Sequence, residues 1–413
     1  MDHHADLVLS ELAPAGERKE PVPDSRNPTQ TLHNIGEENE VSREARMRLL
    51  IEDGFSVERG TGVGRYTQNL ARELGKYPGV EILPPPARKL VRKIRPSSIR
   101  RVAYAAWLES VFQIQLEKLE ADVVHFTNYL VPRRRESRAR YVASVHDLTA
   151  WKLPEALPSM YARYIRKAIL RAVDVADLIL CPSESIRKEV IEHFNLAKER
   201  VGAAWNGDSH LPQIPSERQE ELRRRLGSRL GLCKRFVLFV GTLERRKNVI
   251  ALVEAFARVA AELDLQCVMV GKAGYGFGEI KSSVNRQKCR DRYILPGFVT
   301  DEELALLYTQ AELFAFPSWY EGFGTPLVEA MCFGLPIVAS RIPSTEEVAA
   351  EAAIYYDDPG DHESLAAKMI EVLSDPEMRC GLSARGKQRA GKFSWENLAR
   401  MHIDAYQTSL NRP

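Results

Sequence analysis

From Met47 onward the chain alternates short apolar runs with longer stretches whose apolar residues recur every three or four positions. Arg48-Leu-Leu-Ile51, Val123-Val124, Tyr141 to Val145 and Leu178 to Cys181 read as strands, and Tyr161 to Val175 as an amphipathic helix between two of them. Runs without polar alternation are buried on both faces, so the pattern predicts parallel sheets covered by helices, an α/β fold. From Gly207 to Lys234 the pattern lapses into a Pro-containing, charge-rich segment of linker and short-helix character. A second series then begins at Phe236 to Val240 and continues through Cys267 to Val270, Leu313 to Phe316 and Ile337 to Ala339. Two doubly wound, Rossmann-like domains follow, 47–208 and 235–392, joined by a linker at 209–234 and ending in a helix within 393–413. Residues 1–46 mix Pro, Glu, Asn and Ser with no apolar period and read as a disordered extension or a misassigned start.

Open parallel sheets bind ligands beyond the carboxyl ends of their strands, so the informative residues are those that follow the apolar runs. Gly60-Thr-Gly62-Val-Gly64 precedes a helix with Tyr66, Leu70 and Leu74 on one face. Glycines there let backbone amides approach a phosphate, although an ordinary tight turn stays open as the alternative. The acidic residue of a dinucleotide fingerprint is missing, because Glu81 sits in no clear second strand. After Val240 comes Gly241-Thr-Leu-Glu-Arg-Arg246-Lys247-Asn248, a turn whose Arg246 and Lys247 suit a diphosphate while Arg245 reads as solvated.

The stretch that decides the reading is Leu313 to Gly334: a buried strand, a glycine-rich loop and a helix with Pro326 suited to its first turn and Gly334 to its end. The helix starts beside Gly322 and Gly324, so its amides and positive dipole end face whatever anion fills the cleft. Glu329, about 4 residues into the helix and so about 6 Å from its start, reaches a ribose when phosphates touch the amides. Glu321, in the loop, then faces a sugar. Carboxylates accept two hydroxyl hydrogen bonds, which makes vicinal diols their natural partners.

At these residues the sequence resembles glycosyltransferase family 4, retaining enzymes of the GT-B fold marked by a Glu-x7-Glu pair, here Glu321 and Glu329. The resemblance runs from Met47 to about Gln407 and includes Asp122-Val-Val-His125, Val145-His146-Asp147-Leu148, Pro182-Ser183-Glu184, Asn206-Gly207 and Gly297-Phe-Val299. It implies that Gly62 and Gly64 approach the donor phosphates, that Arg246 and Lys247 bind the diphosphate, and that Phe298 and Val299 read the base through their backbone. It further implies that Gly322, Phe323, Gly324 and Thr325 reach donor oxygens, that Glu329 holds the ribose and Glu321 the donor sugar, and that His146 and Asp147 serve the acceptor side. The last helix would cross back to the first domain. Two positions depart from the family pattern: Thr242 stands where many relatives carry Arg, and Thr127 where some carry a sugar-contacting His. His125 reads as a structural histidine.

Among subgroups the likeness is to bacterial polysaccharide mannosyltransferases, which implies GDP-mannose and a glycan or lipid-linked acceptor; UDP-glucose, UDP-N-acetylglucosamine and dTDP-rhamnose stay open. The rival readings are a GT-B epimerase or phosphorylase and an inactive sugar-nucleotide-binding subunit. No DxD sequence occurs, and Asp357-Asp358 reads as a turn, so transfer without a metal or other cofactor is expected.

Composition narrows the classes further. A formal net charge of +2 with 28% charged residues gives no bulk electrostatic case for nucleic acid as a partner. Six cysteines lie far apart without metal-ligand spacing, which argues for reduced thiols. No apolar stretch approaches the roughly 20 residues of a membrane span and the start lacks a signal-peptide pattern, so a cytoplasmic protein is expected. Arg88, Lys89, Arg92, Lys93, Arg95, Arg100 and Arg101 crowd a stretch free of acids, with Leu90, Val91 and Ile94 between them. This reads either as peripheral contact with the inner face of a membrane or as an ordinary solvated helix face.

Overall fold

A computed structural model of the chain describes residues 46–54, 62–86, 91, 94, 97–207 and 211–412. The first sheet comprises β1 (Met47–Glu52), β2 (Val80–Leu83), β3 (Val123–Phe126), β4 (Arg140–Ser144), β5 (Leu178–Cys181) and β6 (Val201–Ala203), in the order β2-β1-β3-β4-β5-β6. The second comprises β7 (Arg235–Val240), β8 (Leu265–Val270), β9 (Tyr293–Gly297), β10 (Leu313–Phe316), β11 (Ile337–Ser340) and β12 (Ala353–Tyr356), in the order β12-β11-β10-β7-β8-β9. The pairings are parallel, as in β7 with β8, where Phe236 stands against Gln266 and Val240 against Val270. Strands β3, β5, β8, β10 and β11 are buried along their whole length. This is why each reads as an unbroken apolar run.

β2 overturns one expectation. Glu81 does lie on a second strand, opposite Arg48 of β1, but the strand is four residues long at the sheet edge and only Val80 and Leu83 are buried. So short a run, with its polar residue turned outward, gives no periodic signal. Glu81 is exposed and its carboxylate stands 3.6 Å from Arg48, so it takes no part in a ligand site.

In each sheet the chain reverses its direction of growth, at β1 in the first and at β7 in the second. Segments leaving the strands on either side of such a reversal diverge and leave a crevice. The turn after β7 and the loop after β10 flank the crevice of the second sheet. The last helix, Trp395–Leu410, packs on the helix Gly62–Leu74 and on the first sheet, burying Trp395, Leu398 and Tyr406 beside Leu49 and Leu70. Tyr66 Oη lies 2.7 Å from His402 Nε2, and Tyr406 Oη lies 2.8 Å from His125 Nδ1. His125 also meets Ser144 Oγ at 2.8 Å and is fully buried, the environment of a structural histidine. Gly207 is required here: a Cβ at that position would sit 2.5 Å from the Trp395 ring.

The two halves touch through a few polar contacts. Ser183 Oγ donates to the Gly322 carbonyl at 2.7 Å. Glu347 accepts from the Glu184 and Ser185 amides at 2.7 and 2.8 Å and from Trp205 Nε1 at 2.9 Å, capping the helix Glu184–Phe194 of the other half. Among the described residues no helix is long and apolar enough to cross a membrane. Residues 1–45, Gly60 and the basic residues Arg88, Lys89, Arg92, Lys93 and Arg95 lie outside the described residues.

Candidate active site between the two sheets

The crevice is a cavity of about 550 Å³ walled by both halves. At its base the turn after β7 is a single 3-10 turn, Arg245–Lys247, which aims Arg246 and Lys247 at the loop after β10. Glu321 in that loop is 5% exposed and accepts from Arg246 Nη1 at 2.6 Å, from Ser318 Oγ at 2.7 Å and from Lys247 Nζ. Burial alone would raise the Glu321 pKa, but the two adjacent cations and the hydrogen bonds outweigh it and hold the group down at about 2. Lys247 responds in the opposite sense: burial, with Arg246 as a like-charged neighbour, lowers its pKa against the pull of Glu321. Arg246 also binds the Tyr320 carbonyl at 2.9 Å and Glu244, so its guanidinium is fixed in position. Glu321 is therefore a carboxylate kept ionised in a dry place.

The helix Thr325–Cys332 begins beside this group. Gly324 caps it with φ 94°, a left-handed conformation that suits glycine, and Pro326 occupies its first turn. Phe323, Gly324 and Thr325 line the cavity, so an anion there would meet the positive end of the helix. Glu329, 6% exposed, lies one turn further along, lines the same cavity and accepts from Tyr308 Oη at 2.6 Å. At Gly322 the two halves pack tightly, for a Cβ there would sit 1.9 Å from the His146 carbonyl oxygen. Of the expected base readers, Phe298 is 79% exposed at the rim while Val299 is buried, and both line the cavity.

The first half contributes Gly62, His146 and Asp147. His146 Nε2 lies 2.8 Å from the Thr127 carbonyl, which can only accept, so that nitrogen carries the proton and Nδ1 the lone pair. Burial lowers the His146 pKa, which keeps the ring neutral near pH 7. Tyr66 meets this ring edge-on with centroids 5.5 Å apart. Asp147 accepts from the Thr149 amide at 2.9 Å. Gly64 is the exception among the expected residues: the helix already starts at Gly62, so Gly64 is buried inside it and does not reach the cavity. Sequence reasoning missed Arg65, Gly271 and Lys272, which also line the cavity. The available signal was position, since Gly271-Lys272 directly follows β8. A Cβ on Gly271 would sit 1.8 Å from the Gly241 carbonyl oxygen, so two adjacent loops of the cavity wall depend on its being glycine.

Residues 60–207 match the family model described as Glycosyltransferase Family 4, and residues 219–389 the model described as Glycosyl transferases group 1. Over 290 residues the chain is 33% identical to the O-antigen chain mannosyltransferase B of Escherichia coli, a match covering 69% of this chain and 74% of that protein. The chain belongs to glycosyltransferase family 4. A second relative, the serotype-specific mannosyltransferase WbdA of Escherichia coli, is 31% identical over 261 residues, covering 61% of this chain and 31% of that protein. The sucrose-phosphate synthase of Thermosynechococcus elongatus shares the fold with a TM-score of 0.68 at 21% identity, over 88% of this chain and 98% of the other. The family 4 fold is thus GT-B, and the protein is a glycosyltransferase whose cavity carries both glutamates of the family's pair.

Proposed function

We propose that this enzyme transfers mannose from GDP-mannose, with retention of configuration, to a glycan or lipid-linked acceptor in surface polysaccharide synthesis. The observation that carries the reading is that Glu321, just before one helix N-terminus, and Glu329, just after it, line a single cavity shared by both halves. The names of the relatives supply the choice of mannose. In this reading Glu329 holds the ribose, the amides at Gly324 and Thr325 take phosphate oxygens, and Glu321 meets the sugar ring as positive charge develops on it. Lys247 and Arg246, with Lys272 at the rim, offset the charge of the departing diphosphate without a divalent metal. His146 and Asp147 face the acceptor hydroxyl, and the Nδ1 lone pair of His146 is the site for its proton.

A donor panel tests the proposal. GDP release and thermal stabilisation are expected with GDP-mannose above UDP- and dTDP-sugars, the α-linked product is read by NMR, and EDTA leaves the rate unchanged. No stabilisation and no turnover with any donor would sink the transferase mechanism outlined here. We also infer reversible contact with anionic membrane: Ile99 and Val102, 56% and 71% exposed on the helix Ser97–Glu109, flank Arg100 and Arg101 at the end of the basic stretch. Co-sedimentation with anionic liposomes that weakens with salt supports that contact, and absence of binding at low salt overturns it.

A further inference from the structure

Beside the donor cavity, on the other face of the Glu244 to Lys247 turn, lies a second cavity of about 370 Å³ that the reaction described above does not use. Its wall from the first half carries Glu155, and its wall from the second carries Glu244, Arg245, Ile250, Ile280 and Trp319. Trp319 lies two residues before Glu321, and its amide donates to the Arg246 carbonyl at 3.0 Å, so it is tied to the catalytic loop. Its indole rests on Gly360, where a Cβ would stand 3.1 Å away, yet the residue remains 40% exposed, unusual for tryptophan in a packed interior. Arg245, ion-paired with Glu279, spans the gap between the halves, donating to the Glu155 carbonyl at 3.3 Å while its guanidinium sits over the Tyr275 ring at 5.0 Å.

We propose that this cavity is a sugar subsite for the glycan acceptor, taking a residue of that chain remote from the one being glycosylated. The lining chooses among ligand classes. An anion would face the carboxylates of Glu155 and Glu244. A lipid tail would strip water from those carboxylates and from Arg245 and return no hydrogen bonds. A neutral pyranose satisfies both demands, with a C–H face for the indole and hydroxyls for the carboxylate and guanidinium groups around it. Because the walls belong to different halves, a sugar held there favours the closed arrangement in which His146 abuts Gly322. Longer acceptors are then better substrates than short ones.

The inference rests on the glycan-acceptor reading above, and two measurements separate their failures. First, indole fluorescence is followed while wild type and Trp319→Phe are titrated with manno- or gluco-oligosaccharides of two to four residues, with no donor present. Quenching in wild type that is lost or halved in the variant supports the subsite; no quenching by either series, or quenching unchanged in the variant, overturns it. Second, KM is measured against acceptor length for Glu155→Ala and for Ile250→Trp, which fills the cavity from a half-buried position. Both variants should raise KM for tri- and tetrasaccharides about fivefold and leave the monosaccharide KM and donor hydrolysis unchanged. A shift equal at all lengths, or none, overturns the proposal, whereas failure to release GDP from GDP-mannose overturns only the choice of donor.

Discussion

Replacing Glu321 with Ala removes the one carboxylate that Lys247 and Arg246 share inside the cavity. The side chains of Lys247 and Glu321 are 9% and 5% exposed, and that of Arg246 is 17% exposed, so once Glu321 is gone water does little to screen Lys247, while Arg246 keeps only Glu244. Breaking a buried pair by deleting one member costs about 3–5 kcal/mol, most of it the penalty of an uncompensated buried charge. Lys247 has a way out that Arg246 lacks, because an ammonium can lose its proton. Burial already lowers its pKa in the wild type while Glu321 opposes the shift, so without Glu321 the pKa falls further. A lysine whose folded pKa lies below its unfolded value binds fewer protons folded than unfolded, so stability rises with pH through that interval. The destabilisation by Glu321→Ala should therefore be larger at pH 6 than at pH 9. Urea midpoints of wild type and variant at both values measure this. The double variant Glu321→Ala with Lys247→Met should recover part of the loss at pH 6. A pH-independent loss, or one under about 1 kcal/mol, would refute the picture of an ionised glutamate holding two cations in a dry site.

Three further outcomes follow from the same geometry. Glu329→Ala should weaken GDP binding more than it lowers turnover, and Tyr308→Phe, which deletes one hydrogen bond to that carboxylate, should weaken it about tenfold by calorimetry; unchanged affinity in both would remove Glu329 from the nucleotide site. Gly322→Ala places a methyl group against the His146 carbonyl and should cut kcat at least about tenfold with a smaller effect on GDP affinity, so equal losses in both would contradict it. His402 is fully buried, and burial holds its pKa down at about 4 against an ordinary 6.5. The stability contributed by its neutral form is present above pH 6.5 and declines as pH falls toward 4, by about 3 kcal/mol in all; a His402→Gln variant with an equally steep melting profile over that range would show the group plays no part.

Periodicity and punctuation make the eight inner strands of the two sheets legible in the sequence, whereas the edge strands β2, β6, β9 and β12 go unread. Strands such as Leu313–Phe316 are buried on both faces, so composition alone marks them. The helix after Gly324 was legible down to its proline, because a cap is a local feature encoded within a few residues. Local rules ran out where identity depends on a distant neighbour. Gly64 looks like a loop glycine until the helix start is fixed at Gly62. Nothing near Glu347 indicates that it caps a helix 163 and 162 residues earlier in the chain. The Tyr66 to His402 contact spans 336 residues, and Trp319 lines a cavity whose other wall is Glu155. Each of these is a packing fact, and single-sequence patterns carry no information about which faces meet.

The long-range contacts share a location that bears on how such an enzyme controls its chemistry. The loop from Ser318 to Gly324 holds Glu321 and also bridges to the first half. Tyr320 Oη accepts from the Leu148 amide at 3.0 Å and donates to Glu189 at 2.8 Å, the Gly322 carbonyl accepts from Ser183, and Gly322 abuts His146. Seven residues on from Leu148, the same first-half segment reaches Glu155 and the second cavity. Anything that separates the halves must therefore break contacts made by the loop that positions Glu321. Glu321 keeps its two cations whether or not the halves are together, since Arg246 and Lys247 belong to its own half, but its neighbours Tyr320 and Gly322 lose their partners. The charge of the site is set within one half and its alignment by the other. Variants of Ser183 or Tyr320 should accordingly slow transfer while leaving the ionisation of Glu321 untouched.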